Sequence, residues 1–154
     1  MKWRIMLMLS FVLLSVGNAH SQSACKWFTD GSAAALLGGP VTVSAKSLPS
    51  GEGSCTYSLQ QVTTLYLLEI SVANSAHGSC PQGSQKLAGI GNEAFVCRFE
   101  RLPGEVVEEV NSRVRNMYFT VSLTIRGTNT SVMSPGKQQD VVQQVAEQVA
   151  GNLN

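Results

Sequence analysis

Histidine is scarce in this chain. There are two, His20 and His77, and no Cys-x-x-Cys spacing stands beside either. The donor set of a zinc site is therefore missing, and no metal is expected. A Ser-His-acid hydrolase would have to use His77, which sits in the polar stretch Asn74-Ser75-Ala76-His77-Gly78 without a Gly-x-Ser-x-Gly elbow. An excess of one charge is also absent, with eleven basic residues against ten acidic. Without a basic stripe, nucleic acid and anionic membrane surfaces are not expected partners. No apolar run reaches the roughly 20 residues of a membrane-spanning helix. No internal repeat appears, and the length fits one domain. The glycine-rich motif Gly89-Ile90-Gly91 lacks a third glycine and runs into strand-like Ala94-Phe95-Val96-Cys97. A dinucleotide fingerprint would open a helix there. The expectation is a turn with positive φ leading into a strand, and no cofactor.

What is present begins with Lys2 and Arg4, followed by the apolar run from Ile5 to Val16, broken only by Ser10 and Ser15. Gly17 and Ala19 then supply the small residues of a signal-peptidase site. Residues 1–19 read as a secretory signal peptide, with a cut after Ser21 as the alternative. Residues 20–154 form the exported domain, periplasmic or secreted. Cys25, Cys55, Cys80 and Cys97 all fall in it. An even count behind a signal peptide predicts two disulfides. Of the three pairings, Cys25–Cys55 and Cys80–Cys97 are expected, because each brackets one compact unit.

Thr29 or Asp30 caps a first helix over 30–37, which Gly38-Gly39-Pro40 ends. Strands are expected at 41–45, 55–60 and 64–72, the last with Tyr66, Leu68, Ile70 and Val72 on one face. Residues 75–85 read as a loop or short helix, and 93–100 as a strand. In 105–115, Val106, Val110 and Val114 satisfy a helix or a strand, and their β-branching favours strand. Met117 to Ile125 alternates cleanly, with Tyr118, Thr120, Ser122 and Thr124 on a polar outer face. Arg115-Asn116 then makes a hairpin turn. Ser134-Pro135 opens a second helix over 135–151, with glutamines 138, 139, 143, 144 and 148 outward and Gly151 as its stop. The class is α+β: an antiparallel sheet of five to six strands covered by N-terminal and C-terminal helices.

Cys25, Leu36-Leu37-Gly38-Gly39-Pro40-Val41, Cys55-Thr56-Tyr57, Gly89-Ile90-Gly91-Asn92-Glu93-Ala94 and the hairpin from Asn116 to Val121 carry a resemblance over about 25–154. The chain resembles small exported bacterial domains of unknown function, many of them actinobacterial lipoproteins. The resemblance implies a compact sheet-and-helix fold of the PsbP-like kind and no established enzymatic activity. It also implies a bacterial setting, in which the sequon Asn129-Thr130-Ser131 arises by chance. Gln22-Ser23-Ala24 precedes Cys25, with Gln where a lipobox has Leu, so a lipid anchor at Cys25 is not expected. An acylated Cys25 would also be barred from bonding Cys55.

No catalytic residue stands out. Glu93, His77 and Tyr118 are the candidates for ligand contact: Glu93 as a hydrogen-bond acceptor, Tyr118 through its place on a polar strand face. Glu105, Glu108 and Glu109 beside Arg113 and Arg115 read as a solvated face with ion pairs rather than as paired catalytic carboxylates. The expected function is a disulfide-stapled, non-catalytic binding or accessory domain. It would hold a protein partner or a small apolar ligand between sheet and helix. The alternatives are a small secreted hydrolase using His77, or a protease inhibitor presenting Leu48-Pro49-Ser50-Gly51.

Overall fold

The computed structural model describes residues 25–81, 84–127 and 133–154. The expected signal peptide, its expected cleavage sites and the sequon lie outside the described residues. Helix α1 spans Asp30–Leu37; the Thr29 side chain accepts the Ser32 N–H at its start, and left-handed Gly38 closes it. The strands are β1 (Thr42–Ser47), β2 (Gly53–Gln61), β3 (Thr64–Ala73), β4 (Gln85–Leu87), β5 (Glu93–Leu102), β6 (Glu105–Val114) and β7 (Met117–Gly127). Helix α2 spans Pro135–Leu153, with Ser134 as its N-cap and Pro135 in its first turn. Gly151 does not stop it, because nothing beyond it forces the backbone out of the helix.

All seven strands pair antiparallel in the order β1-β2-β3-β7-β6-β5-β4. The seventh strand, β4, is three residues that begin at the end of the expected loop 75–85. Too short to show a period, it exists because β5 offers it an edge. The Arg115-Asn116 turn joins β6 to β7 as expected.

Cross-strand partners share a face, which sorts the sheet into two surfaces. Tyr57, Leu68, Leu123, Val121 and Val110 fall on the first. Helix α2 packs there, across β6 and β7. Val142, Val145 and Val149 are fully buried against it, each stabilising the fold by about 1.5–3 kcal/mol. Ala33 and Leu37 of α1 join the same core cluster. Tyr57 also donates its hydroxyl hydrogen to the Phe28 carbonyl at 2.6 Å. Both helices therefore cover one face only. Among the described residues, buried side chains pack most of the layer between sheet and helices, where a ligand is expected from the sequence.

Three readings of polarity change with the structure. Gln138 does not face outward: it is buried, accepting from Arg98 Nη1 at 2.9 Å and donating to the Met133 carbonyl at 2.7 Å. The three glutamates are not solvated either, and strand alternation separates them. Glu108 shares the helix face with Arg98 at 3.2 Å. Glu105 and Glu109 point the other way, where Arg126 and Arg101 hold the Glu105 carboxylate at 2.7 and 3.4 Å. Four residues of strand put those two carboxylates roughly 13 Å apart along the chain, too far for a glycosidase pair. Finally, Thr120, Ser122 and Thr124 of β7 are buried rather than forming a solvated outer face.

Both disulfides take the expected pairing, Cys25–Cys55 and Cys80–Cys97. Such bridges are compatible with an exported protein. The Cys25 sulfur is engaged in its bridge, which leaves no thiol there for acylation. No helix among the described residues is long and apolar enough to cross a membrane.

Candidate functional site

The face of the sheet away from the helices is crossed by the segment Asn74–Pro81, a strap between β3 and β4. Strand alternation places Cys97 on this face, opposite Glu109, so the Cys80–Cys97 bridge has to bring the strap over it. Further contacts with the sheet hold it. The Ser79 N–H donates to Glu109 Oε1 at 2.6 Å. The Thr120 hydroxyl lies 3.1 Å from the His77 carbonyl and 2.8 Å from Asn111 Oδ1, two acceptors for its one hydrogen. Asn111 Nδ2 donates to Glu109 Oε1 at 3.0 Å. Gly78 lies directly on the Asn111 amide. A Cβ at Gly78 would sit 2.7 Å from Nδ2 and closer still to Oδ1, so only glycine lets the strap come this near.

Two hollows open beside the strap. One of about 520 Å³ is lined by Ala76, His77, Gly78, Cys80, Pro81, Ser84, Phe95 and Asn111. The other, about 190 Å³, shares Ala76, His77, Phe95 and Asn111 and extends to Glu93, Arg113 and Tyr118. Together they form one groove. All three residues singled out from the sequence, His77, Glu93 and Tyr118, line its smaller end. Register explains the meeting: Glu93 pairs with Arg113, which pairs with Tyr118, in one row across β5, β6 and β7. Phe95, Asn111 and Thr120 form the next row. Phe95 and Tyr118 are half-buried and present ring surface, while Glu93 and Arg113 are exposed. Though directly opposite, Glu93 and Arg113 form no ion pair among the described residues. One end of the groove thus offers an anion, a cation and two aromatic rings to whatever enters it.

Among the described residues, no serine hydroxyl or carboxylate is hydrogen-bonded to the His77 ring. Its described ring contact is Nδ1 to the Ser75 carbonyl at 3.2 Å. The two serine hydroxyls among the lining residues are engaged elsewhere: Ser112 is buried and donates to the Ile90 carbonyl at 3.2 Å, and Ser84 donates to the Pro81 carbonyl at 2.6 Å. Cys80, Cys97 and Glu109 cluster within 4.8 Å, but both sulfurs are bonded to each other and cannot act as thiolate ligands.

The glycine-rich loop behaves as a turn. Gly91 takes φ 59°, where a Cβ would collide with the Arg113 carbonyl, and Ile90 is buried in the core. The Asn92 N–H reaches the Arg113 carbonyl at 2.7 Å, and Asn92 Oδ1 accepts the Arg115 N–H at 2.7 Å. The loop stitches β5 to the β6–β7 turn. The Leu48-Pro49-Ser50-Gly51 segment is a closed turn between β1 and β2: Leu48 N–H bonds the Glu52 carbonyl, and Gly51 N–H bonds that of Leu48. The Ser50 hydroxyl and the Asn74 N–H hold the Glu52 carboxyl below the usual carboxylate range.

Phe95, Asn111 and Arg113 belong to the site and were not singled out as ligand contacts in the sequence. One signal pointed to them. Alternation in 93–100 puts Glu93, Phe95 and Cys97 on one face, and a Cys80–Cys97 bridge must then lay the preceding segment across it. Compared with family models, curated proteins and solved structures, the chain matches none.

Proposed function

We propose that this chain is an exported, non-catalytic binding domain, of the kind its motifs resemble, that takes a small, partly apolar ligand in the groove beside the strap. The observation that carries this reading is the gathering of His77, Glu93, Phe95, Arg113 and Tyr118, from the strap and three strands, around one hollow. Two rings supply the apolar contact, and the unpaired Glu93 and Arg113 supply orientation. That is the composition of a ligand site: mostly apolar lining with a few placed polar groups. The charges favour a ligand carrying an ammonium and a carboxylate beside a ring or alkyl body.

The test is a fragment screen by amide NMR against the exported domain, using small zwitterions with aromatic or aliphatic side groups. Hits are expected to shift the amides of Ala76, His77, Phe95 and Tyr118, and to lose those shifts in a Phe95→Ala/Tyr118→Ala double variant. A screen whose hits shift other regions, or bind the double variant equally well, would overturn the assignment.

A further inference from the structure

The two bridges sit in opposite surroundings. Cys25 and Cys55 are 2% and 0% exposed, within the main core beside Trp27 and Tyr57. Cys80 is partly exposed and lines the larger hollow, with Cys97 at 9% behind it. Exchange requires an incoming thiolate to reach a sulfur, so access separates the two bonds before any difference in bond strength does. We propose that Cys80–Cys97 is a thiol–disulfide exchange site for a dithiol partner, while Cys25–Cys55 is a permanent staple. The site is independent of the ligand reading above, since it needs only an approach to Cys80.

The step balances as follows. A thiolate of the partner attacks Cys80 Sγ, the Cys80–Cys97 bond breaks, and Cys97 leaves as a thiolate that takes a proton from water. The partner's second thiol, as its thiolate, attacks the partner sulfur of the mixed disulfide and expels Cys80, which is protonated in turn. Two electrons pass to the protein, and the partner dithiol becomes a disulfide.

The structure is suited to survive this reaction. The core and α2 lie on the other face of the sheet. The strap keeps its bond from Ser79 to Glu109, its carbonyl contact with Thr120 and its seat on Asn111. The separated thiols therefore stay within reach of each other. Acceptors for their hydrogens are in place: the Glu109 carbonyl oxygen is 3.7 Å from Cys80 Sγ, and the Glu109 carboxylate is within 4.8 Å of both sulfurs. The reaction is thus reversible without refolding.

The experiment is partial reduction of the native exported domain with dithiothreitol, quenched with N-ethylmaleimide and mapped by peptide mass. Cys80 and Cys97 are expected to label together, on the order of tenfold or more faster than Cys25 and Cys55, with circular dichroism unchanged. Oxidised glutathione should then restore the original pairing. A Cys80→Ser/Cys97→Ser variant should stay folded and show only the slow phase. Equal rates for the two bridges, earlier opening of Cys25–Cys55, or loss of structure along with the first bridge would each overturn the proposal.

Discussion

Replacing Gly78 by alanine tests the seating of the strap. The new Cβ would overlap the Asn111 amide, so strap and sheet must part by on the order of 1 Å. Asn111 cannot swing aside freely, because it bridges Thr120 at 2.8 Å and Glu109 at 3.0 Å. Two terms add. Forcing an L-residue to φ 141° costs about 1–2 kcal/mol. Disrupting two hydrogen bonds to buried groups costs about 1 kcal/mol each. The expected loss is about 3–4 kcal/mol in urea unfolding. Gly51→Ala is the control: its φ is 94°, but a Cβ there meets open space, so only the first term applies. The sharper check is Gly78→Ala in an Asn111→Ala background, where the colliding amide is gone and the cost should fall to that of Gly51→Ala. If Gly78→Ala costs no more than Gly51→Ala, or costs the same with and without the Asn111 side chain, the close seat of the strap is wrong.

Two further substitutions probe charge and backbone. Burial pushes the Glu108 carboxyl above its ordinary range, and Arg98 offsets this only in part. A carboxyl raised by folding binds its proton more tightly in the folded chain, so its contribution to stability improves as pH falls from neutral toward the ordinary carboxylate range. Glu108→Gln should raise Tm at pH 7.5, and the gap should close near about pH 4; a Gln variant less stable at neutral pH refutes this. Val62, at the tip of the β2–β3 hairpin, takes φ 49° while 96% exposed, a conformation β-branched residues resist. Val62→Asn should therefore stabilise by about 1 kcal/mol, read as a higher urea midpoint, and an unchanged or lower midpoint removes the argument.

Much of the architecture is written locally. The alternation of Tyr66, Leu68, Ile70 and Val72 and that of Phe119, Val121, Leu123 and Ile125 each name a strand, a face and a core. Ser134-Pro135 and Thr29 mark helix starts that the structure keeps. What could not be read depends on neighbours distant in the chain. Gln138 resembles the other glutamines of α2 until Arg98 arrives from β5 to bond it. Glu105, Glu108 and Glu109 look like one cluster until strand pairing sends Glu108 to the opposite face. Gln85-Lys86-Leu87 is a strand only because β5 has a free edge. The groove follows the same logic. His77, Glu93 and Tyr118 each drew attention alone, for unrelated reasons. Only the register Glu93–Arg113–Tyr118 and the path of the strap make them neighbours.

The sheet order carries a consequence for how the chain matures. Strands β1, β2 and β3 join by consecutive hairpins, and so do β4, β5, β6 and β7; the single seam between the halves is β3 against β7. β3 ends at Ala73 and β7 begins at Met117, so the seam closes a long loop and forms late. Until then Thr64-Leu65-Tyr66-Leu67-Leu68-Glu69-Ile70-Ser71-Val72 has an open edge with large apolar side chains on both faces, an adhesive species. A chain emerging N-terminus first would present that edge throughout the synthesis and transit of the next forty-odd residues. Kinetic partitioning between closure and self-association, rather than the stability of the finished sheet, then governs the yield of folded protein, and a holdase that shields one bare strand would be its most useful companion.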